Sequence, residues 1–361
     1  MAAARNPNSG WSRPVAAVLA VIIILGGVAV SLGFGVRLRS ALERAASARV
    51  DTAASALRTT VTEQLARYVD TVRLTAAALS ALPDPTAATF QEITAAVAGQ
   101  KLTAARAVRF VVPAVPDTVA GVQPYWRARG AANLTVKPVP SARQHLFTVF
   151  SRGLNGGAAP PAGVDQVAAP AAVEVTRLVH GSGAVAVSDA YVLLSDAGVA
   201  RDKQQASFDV VAPVRGPDTV ITGYVMLSVG GTDLVTALLA RSAGDLLDCQ
   251  LMTRSGSGSL LEVATVLHPG RHEDVRRAVN FEAGQRQWVL RTSADNRVLL
   301  PTAGRTDLAV VLAGSALAVM FGSLMYLQMS ATKRMEQEIE LEVAERLEAA
   351  GLSPADEEEP S

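Results

Sequence analysis

His268 and His272 stand four positions apart, a spacing that on a helix puts two metal ligands on one face. Pro269 and Gly270 lie between them and break such a helix, so no metal site is expected there. The single cysteine, Cys249, excludes an intrachain disulfide and any multi-cysteine zinc or iron–sulfur centre. No GxSxG, HExxH, Walker or strand-borne GxGxxG sequence occurs, so the usual constellations for hydrolysis, zinc proteolysis and nucleotide chemistry are missing. The run Asp356, Glu357, Glu358, Glu359 is like-charged and near the chain end, which predicts solvated disorder rather than catalysis. The expectation is a protein without enzymatic activity, without a cofactor and without a metal.

The elements that frame these residues point to a membrane. The 361 residues carry 33 basic and 33 acidic side chains, and a net charge of zero gives no electrostatic footprint for nucleic acid. Apolar residues make up 49% and charged ones only 18%, so part of the apolar content should sit in lipid. Residues 14–36 contain no charge and are flanked by Arg13 and Arg37, long enough to span a bilayer as a helix. A cleaved signal peptide is the alternative, but its apolar core would be shorter and would not run on into a helical pattern. Residues 308–327 form a second apolar stretch, between Asp307 and Lys333, for which a buried core helix is the alternative. Arg5, Arg13, Lys333 and Arg334 favour cytoplasmic ends, against Arg37, Arg39, Arg44, Arg297 and Arg305, and large domains translocate regardless of such counts. The expected layout is a two-pass cell-membrane protein in contact with lipid. It has a cytoplasmic tail at 1–13, transmembrane helices at 14–36 and 307–328, an extracellular middle, and a cytoplasmic amphipathic helix with an acidic tail at 329–361. Abundant Ala and Arg, with Lys only at 101, 137, 203 and 333, suit a high-GC bacterial source.

From Arg37 to Leu82 there is no Gly and no Pro. Val50, Ala54, Leu57, Val61, Leu65, Tyr68, Val72, Thr75, Leu79 and Leu82 step by threes and fours, which places them on one face of a stalk helix over 37–82. That face packs on the chain's own domain, and the sharper reading has the helix also pair, coiled-coil fashion, with a second copy in a homodimer. Pro83 and Pro85 end the helix. Beyond them come short strand-like runs at 108–112 (stopped by Pro113), 145–150, 184–187, 191–194, 207–214 and 221–229. Helical stretches fall at 117–129, 169–179 and 233–240. A second set begins at Leu247, with strands at its two ends and a helical segment over 272–279. Strands broken by single helices and hairpin turns predict an α+β fold with one larger and one smaller sheet.

In their order and spacing, RFVVPAVPDT (109–118), PVPSARQHLFTVFS (138–151), GVDQVAAPAAVEVTRLVHGSGAVAVSDAYVLL (163–194), FDVVAPVRG (208–216) and GYVMLSVGGTDLVTALL (223–239) resemble a CHASE-type extracellular sensory domain. This module occurs in plant cytokinin receptors and in many bacterial sensor kinases and cyclases. The resemblance covers about residues 40–300. It implies a stalk followed by two PAS-like lobes, a distal one at 83–242 and a proximal one at 243–306. The distal lobe would bind a small ligand, with Asp165 of the G-x-D run as hydrogen-bond partner and Val187 contributing mainly its backbone. Phe147, Tyr191, Phe208 and Val210 would then supply an apolar wall; the bland alternative is a capping role for Asp165 and ordinary core for the aromatics. Leu146 and Thr148 stand where many relatives read Tyr-Phe-Pro, a departure that speaks against an adenine-type ligand.

After the second apolar stretch, Met335, Ile339, Val343 and Leu347 recur at intervals of four on a Glu-rich segment, a short amphipathic helix. This tail is too short for the kinase or cyclase domain that such proteins usually carry. The function expected is a sensor that binds a small ligand and signals through a separate histidine kinase or cyclase. A non-catalytic scaffold, binding another protein or a cell-wall component, is the alternative.

Overall fold

The computed structural model describes residues 13–196, 198–201, 204–256, 258–300 and 303–349. The expected tails at 1–12 and 350–361 lie outside the described residues. The chain divides into two compact units, Ser47–Leu299 and a second one made by the helical segments on either side.

Helix α1 (Arg13–Ser80) is 68 residues long and continuous from the first apolar stretch through the stalk. The absence of Gly and Pro after Gly35 lets the second half run unbroken until the Pro83 and Pro85 region. In the compact unit the predicted stripe is inside: Val50, Leu57, Leu65 and Tyr68 are fully buried, and only Leu82 at its end is half-buried. The chain itself covers this face. Hydrogen bonds tie the helix down along its length: Arg277 to Ser47 at 2.7 Å and to Asp51, Ser242 to Thr60 at 3.1 Å, Thr71 to Gln100 at 3.1 Å, and the backbone N–H of Arg215 to Ser80 at 2.8 Å.

Helix α2 (Ala87–Gly99) opens on a capping box in which Thr86 and Thr89 satisfy each other's backbone N–H. Strands β1 (Ala105–Ala114), β2 (His145–Gly153), β3 (Ala186–Val187), β4 (Ser207–Arg215) and β5 (Ile221–Gly230) form an antiparallel sheet in the order β2-β1-β5-β4-β3. Helix α3 (Val119–Arg127) links β1 to β2, α4 (Pro170–Ser182) precedes β3, and α5 (Gly231–Ser242) follows β5. On one sheet face Phe90, Phe110, Trp126 and Phe150 interlock, with Trp126 edge-on to Phe110 and Phe150 at 5.6 and 5.4 Å. On the other, Val111, Leu146, Val211, Tyr224 and Met226 pack under Val175 and Val179 of α4.

A second antiparallel sheet, ordered β7-β6-β9-β8, contains β6 (Asp248–Arg254), β7 (Leu260–Val266), β8 (Val275–Ala283) and β9 (Arg286–Ala294). The chain then passes α6 (Asn296–Leu299) into α7 (Ala303–Ala349). The mixed α+β class with two sheets, one larger, is therefore observed.

Three local expectations are corrected. The run 191–194 is not a strand: Tyr191 makes one isolated bridge to Ser207, and Leu194 opens a 3₁₀ turn. The segment 272–279 is not helical: Val275, Val279 and Phe281 alternate with exposed residues along β8, and β-branched and aromatic alternation outweighs the charges that suggest a helix. The β8–β9 hairpin closes through Gly284 and Gln285, both at φ +60°, the geometry of a type I′ turn. The first strand also does not stop at Pro113 but runs through it to Ala114. The pairing of β1 with β5 ends at Val111, so the missing proline N–H leaves no ladder bond unmade there.

In the other unit, α1 and α7 each contain a stretch long and apolar enough to cross a membrane. Ile22, Leu25 and Val30 of α1 and Leu312, Leu317 and Phe321 of α7 are exposed. The two stretches approach closely at Gly27, where a Cβ would strike Ala318.

Candidate functional site

The centre of the first sheet holds charge where a strand core is normally apolar. Arg109 projects from β1, Asp209 from β4 and Ser228 from the intervening β5. One Arg109 amino group donates to both Asp209 oxygens at 2.7 and 2.8 Å and to Ser228 Oγ at 2.9 Å. The other donates to Gln166 Oε1 at 2.8 Å, and Gln166 in turn donates to Thr148 Oγ1 at 3.0 Å. Ser228 and Tyr191 both donate their hydroxyls to the Asp209 carboxylate. Arg109 is 4% exposed and Asp209 not at all.

Burial works against charge on Arg109, but Asp209 and Tyr191 together outweigh it and hold the guanidinium above its ordinary pKa. Burial, together with the neighbouring Asp209 charge, pushes the Tyr191 phenol well up, so it stays a neutral donor. One group in the cluster is left over: Arg109 Nε is buried without a hydrogen-bond partner.

This cluster floors a cavity of about 690 Å³. Arg109, Arg106 and Ser228 of the sheet line it from below, Pro160 and Leu193 belong to two loops at its rim, and Arg241 comes from α5. Arg106 forms an ion pair with Asp196, tying the 3₁₀ turn Leu194–Asp196 to β1. The size suits a small molecule. The contacts within the cluster are hydrogen bonds and charge pairing.

The six residues named from the sequence are distributed over this lobe. Tyr191 belongs to the buried cluster. Asp165 caps the 3₁₀ turn Gln166–Ala168, and its carboxylate accepts from Leu146 N at 2.9 Å, Val139 N at 3.0 Å and Val167 N at 3.2 Å, with His145 Nδ1 at 2.6 Å. Burial raises the Asp165 carboxyl, but those partners outweigh it and hold the pKa below the usual carboxylate value. Phe147 is fully buried and stacks on His145 at 5.4 Å. Phe208 and Val210 alternate with Asp209 and so point to the opposite sheet face, where Phe208 meets Trp288 edge-on at 5.4 Å. Val187 uses its backbone on the second sheet: its N–H donates to Gly284 O at 2.9 Å, and its carbonyl accepts from Arg286 Nε at 2.8 Å.

Arg286 thereby bridges the two sheets. Buried at 5% exposure, it also pairs with Asp189, lies 3.6 Å from Glu174, and donates to Arg254 O at 3.2 Å. Burial raises the Asp189 carboxyl, and Glu174 adds to the rise against the pull of Arg286. Sequence reasoning missed Arg109, Arg106, Asp209, Ser228 and Arg286. The available signal was a lone charge inside an apolar strand run, as in VRFVV and FDVVAP.

Among the described residues, no group of three or more His, Cys, Asp or Glu side chains could hold a metal. His268 Nδ1 instead meets Asp248 at 2.6 Å, and the His272 N–H donates to Asp295 at 3.0 Å. Burial, with the nearby Asp248 charge, pushes the Cys249 thiol up to about 12, leaving it inert.

Residues 83–261 match the CHASE domain family model. The periplasmic sensory domain of the Campylobacter jejuni chemoreceptor Tlp1 is similar at 10% identity and a TM-score of 0.43, over 68% of this chain and 93% of that one. An extracellular ligand binding receptor from Desulfohalobium retbaense is similar at 12% identity and a TM-score of 0.39, over 67% of this chain and 39% of that one. No curated protein matches the chain.

Proposed function

We propose that this chain carries a CHASE domain and is a two-span membrane sensor whose central segment lies outside the cell and binds a small polar ligand in the cavity over β1 and β5. The observation that carries the reading is the Arg109 floor. Occupancy biases two states only through differential contacts. The Arg106–Asp196 pair is the loop contact that a ligand would tighten or release, and Arg286 is the link through which the second sheet follows. α1 and α7 would carry the change across the membrane to a separate histidine kinase or cyclase.

One observation favours the scaffold reading instead. The Asp165 carboxylate is fully occupied by protein donors and does not line the cavity.

The full chain in nanodiscs tests the choice. Native mass spectrometry reads any co-purifying small molecule, and thermal shifts are measured against purines, amino acids and carboxylates. A ligand whose stabilisation falls at least about tenfold in effective affinity in R106Q supports the sensor. Silence across the panel, with no bound molecule, supports the scaffold.

A further inference from the structure

A second cavity, of about 410 Å³, lies against the flank of α4 and shares no lining residue with the one over β1 and β5. Its floor is apolar: Leu146 of β2, Val167, and the ring of Tyr224 from β5. Along α4, Val173, Thr176, Arg177 and His180 line it at positions i, i+3, i+4 and i+7, so one helix face is devoted to it. Arg143, just before β2, completes the cationic rim.

The charge balance is one-sided. Two guanidinium groups and an imidazole line the cavity, and no carboxylate does. Two acids close to the lining residues in sequence are engaged elsewhere: Asp165 with three backbone N–H groups and His145, and Glu174 with Arg286. Among the described residues, neither Arg143 nor Arg177 has an ion pair or a side-chain hydrogen bond. Tyr224 contributes a hydroxyl 3.4 Å from His180 Nδ1, and burial raises its phenol so that it remains a neutral donor.

We infer that this cavity is a binding site for a small organic carboxylate with an aromatic or branched apolar body, its head held by Arg143 and Arg177 and its body on Leu146, Val167 and Tyr224. An apolar floor takes hydrocarbon, and unpaired guanidinium forks take a planar carboxylate in bidentate fashion. A hydrated inorganic anion would leave the floor unused, and a neutral ring would leave both cations unpaired. The site therefore selects for the combination.

Fluorine NMR of 4-fluorobenzoate with the full chain in nanodiscs tests this. 4-Fluorobenzamide is the uncharged counterpart, and R143Q, R177Q and the double variant remove the rim. R73Q, on the exposed side of α1, removes one positive charge elsewhere. Saturable binding of the benzoate is expected, at least about tenfold tighter than the benzamide and weakened at least about tenfold in the double variant, with R73Q like the parent. Circular dichroism of the variants reads folding, and both arginines are exposed, so the parent spectrum is expected. Absence of saturable binding, equal binding of the benzamide, or undiminished binding in a folded double variant would each overturn the inference.

Discussion

Replacing Asp209 by Asn removes the only countercharge that touches Arg109 among the described residues, while changing almost no volume. Arg109 would keep Gln166 at 2.8 Å and Ser228 at 2.9 Å, but its charge would be buried without compensation. Breaking one side of a buried ion pair costs about 3–5 kcal/mol. For a unit of this size each kcal/mol moves the midpoint by about 2–4 °C, so D209N should melt about 6–20 °C below the parent. The assay is thermal unfolding of the full chain in detergent, followed by the fluorescence of Trp126 and Trp288, both buried in the compact unit. Arg109→Met with Asp209→Leu removes the pair together, and apolar replacement of a buried pair is often neutral. The double variant should therefore be at least about 1.5 kcal/mol more stable than D209N, less whatever Gln166, Ser228 and Tyr191 lose as unpaired partners. If D209N unfolds within about 1 kcal/mol of the parent, or the double variant is no better than the single one, the buried cluster is not the electrostatic centre argued above.

Two further outcomes follow from local geometry. Gly284 sits at φ +60° with Val187 where its Cβ would be, so Gly284→Val should loosen the contact between the two sheets. A loss of about 2 kcal/mol or more is expected, with faster amide exchange at Val187 N–H, and parent-like exchange there would contradict it. Asp165→Asn should destabilise the protein at neutral pH and progressively less in acid. The folded carboxyl is held below its ordinary pKa, so its stabilisation is present above the unfolded value and disappears as pH falls through the folded one. A stability difference that stays constant from pH 7 down to about pH 3 would refute this.

The α1 stripe was legible because burial on a helix repeats every three or four residues, and Val50 through Leu79 keep that rhythm without a break. The mixed fold was legible for the same reason in its strands, where turns and β-branched runs punctuate the chain. Three segments escaped, one of them 191–194, where only Tyr191 bridges to Ser207. Along β8 the Arg276–Arg277 pair masks the alternation of Val275, Val279 and Phe281, and Pro113 reads as a stop only if its strand needs an N–H on that side. The candidate site was less legible still. Arg109, Asp209 and Ser228 come from three strands, and Arg109 and Asp209 lie 100 positions apart in the chain, so no local pattern joins them. Only the sheet register does. The six residues named from the resemblance include Tyr191, which touches this cluster, while Phe208 and Val210 fall on the other face because side chains alternate along β4.

The most direct test of the sensor account is the side of the membrane on which Ser47–Leu299 lies. Protease is added to intact cells expressing the full chain with tags at both termini. The account predicts that the middle of the chain is cut while both tags stay protected until the cells are lysed. A middle segment that survives while the tags are removed would contradict it.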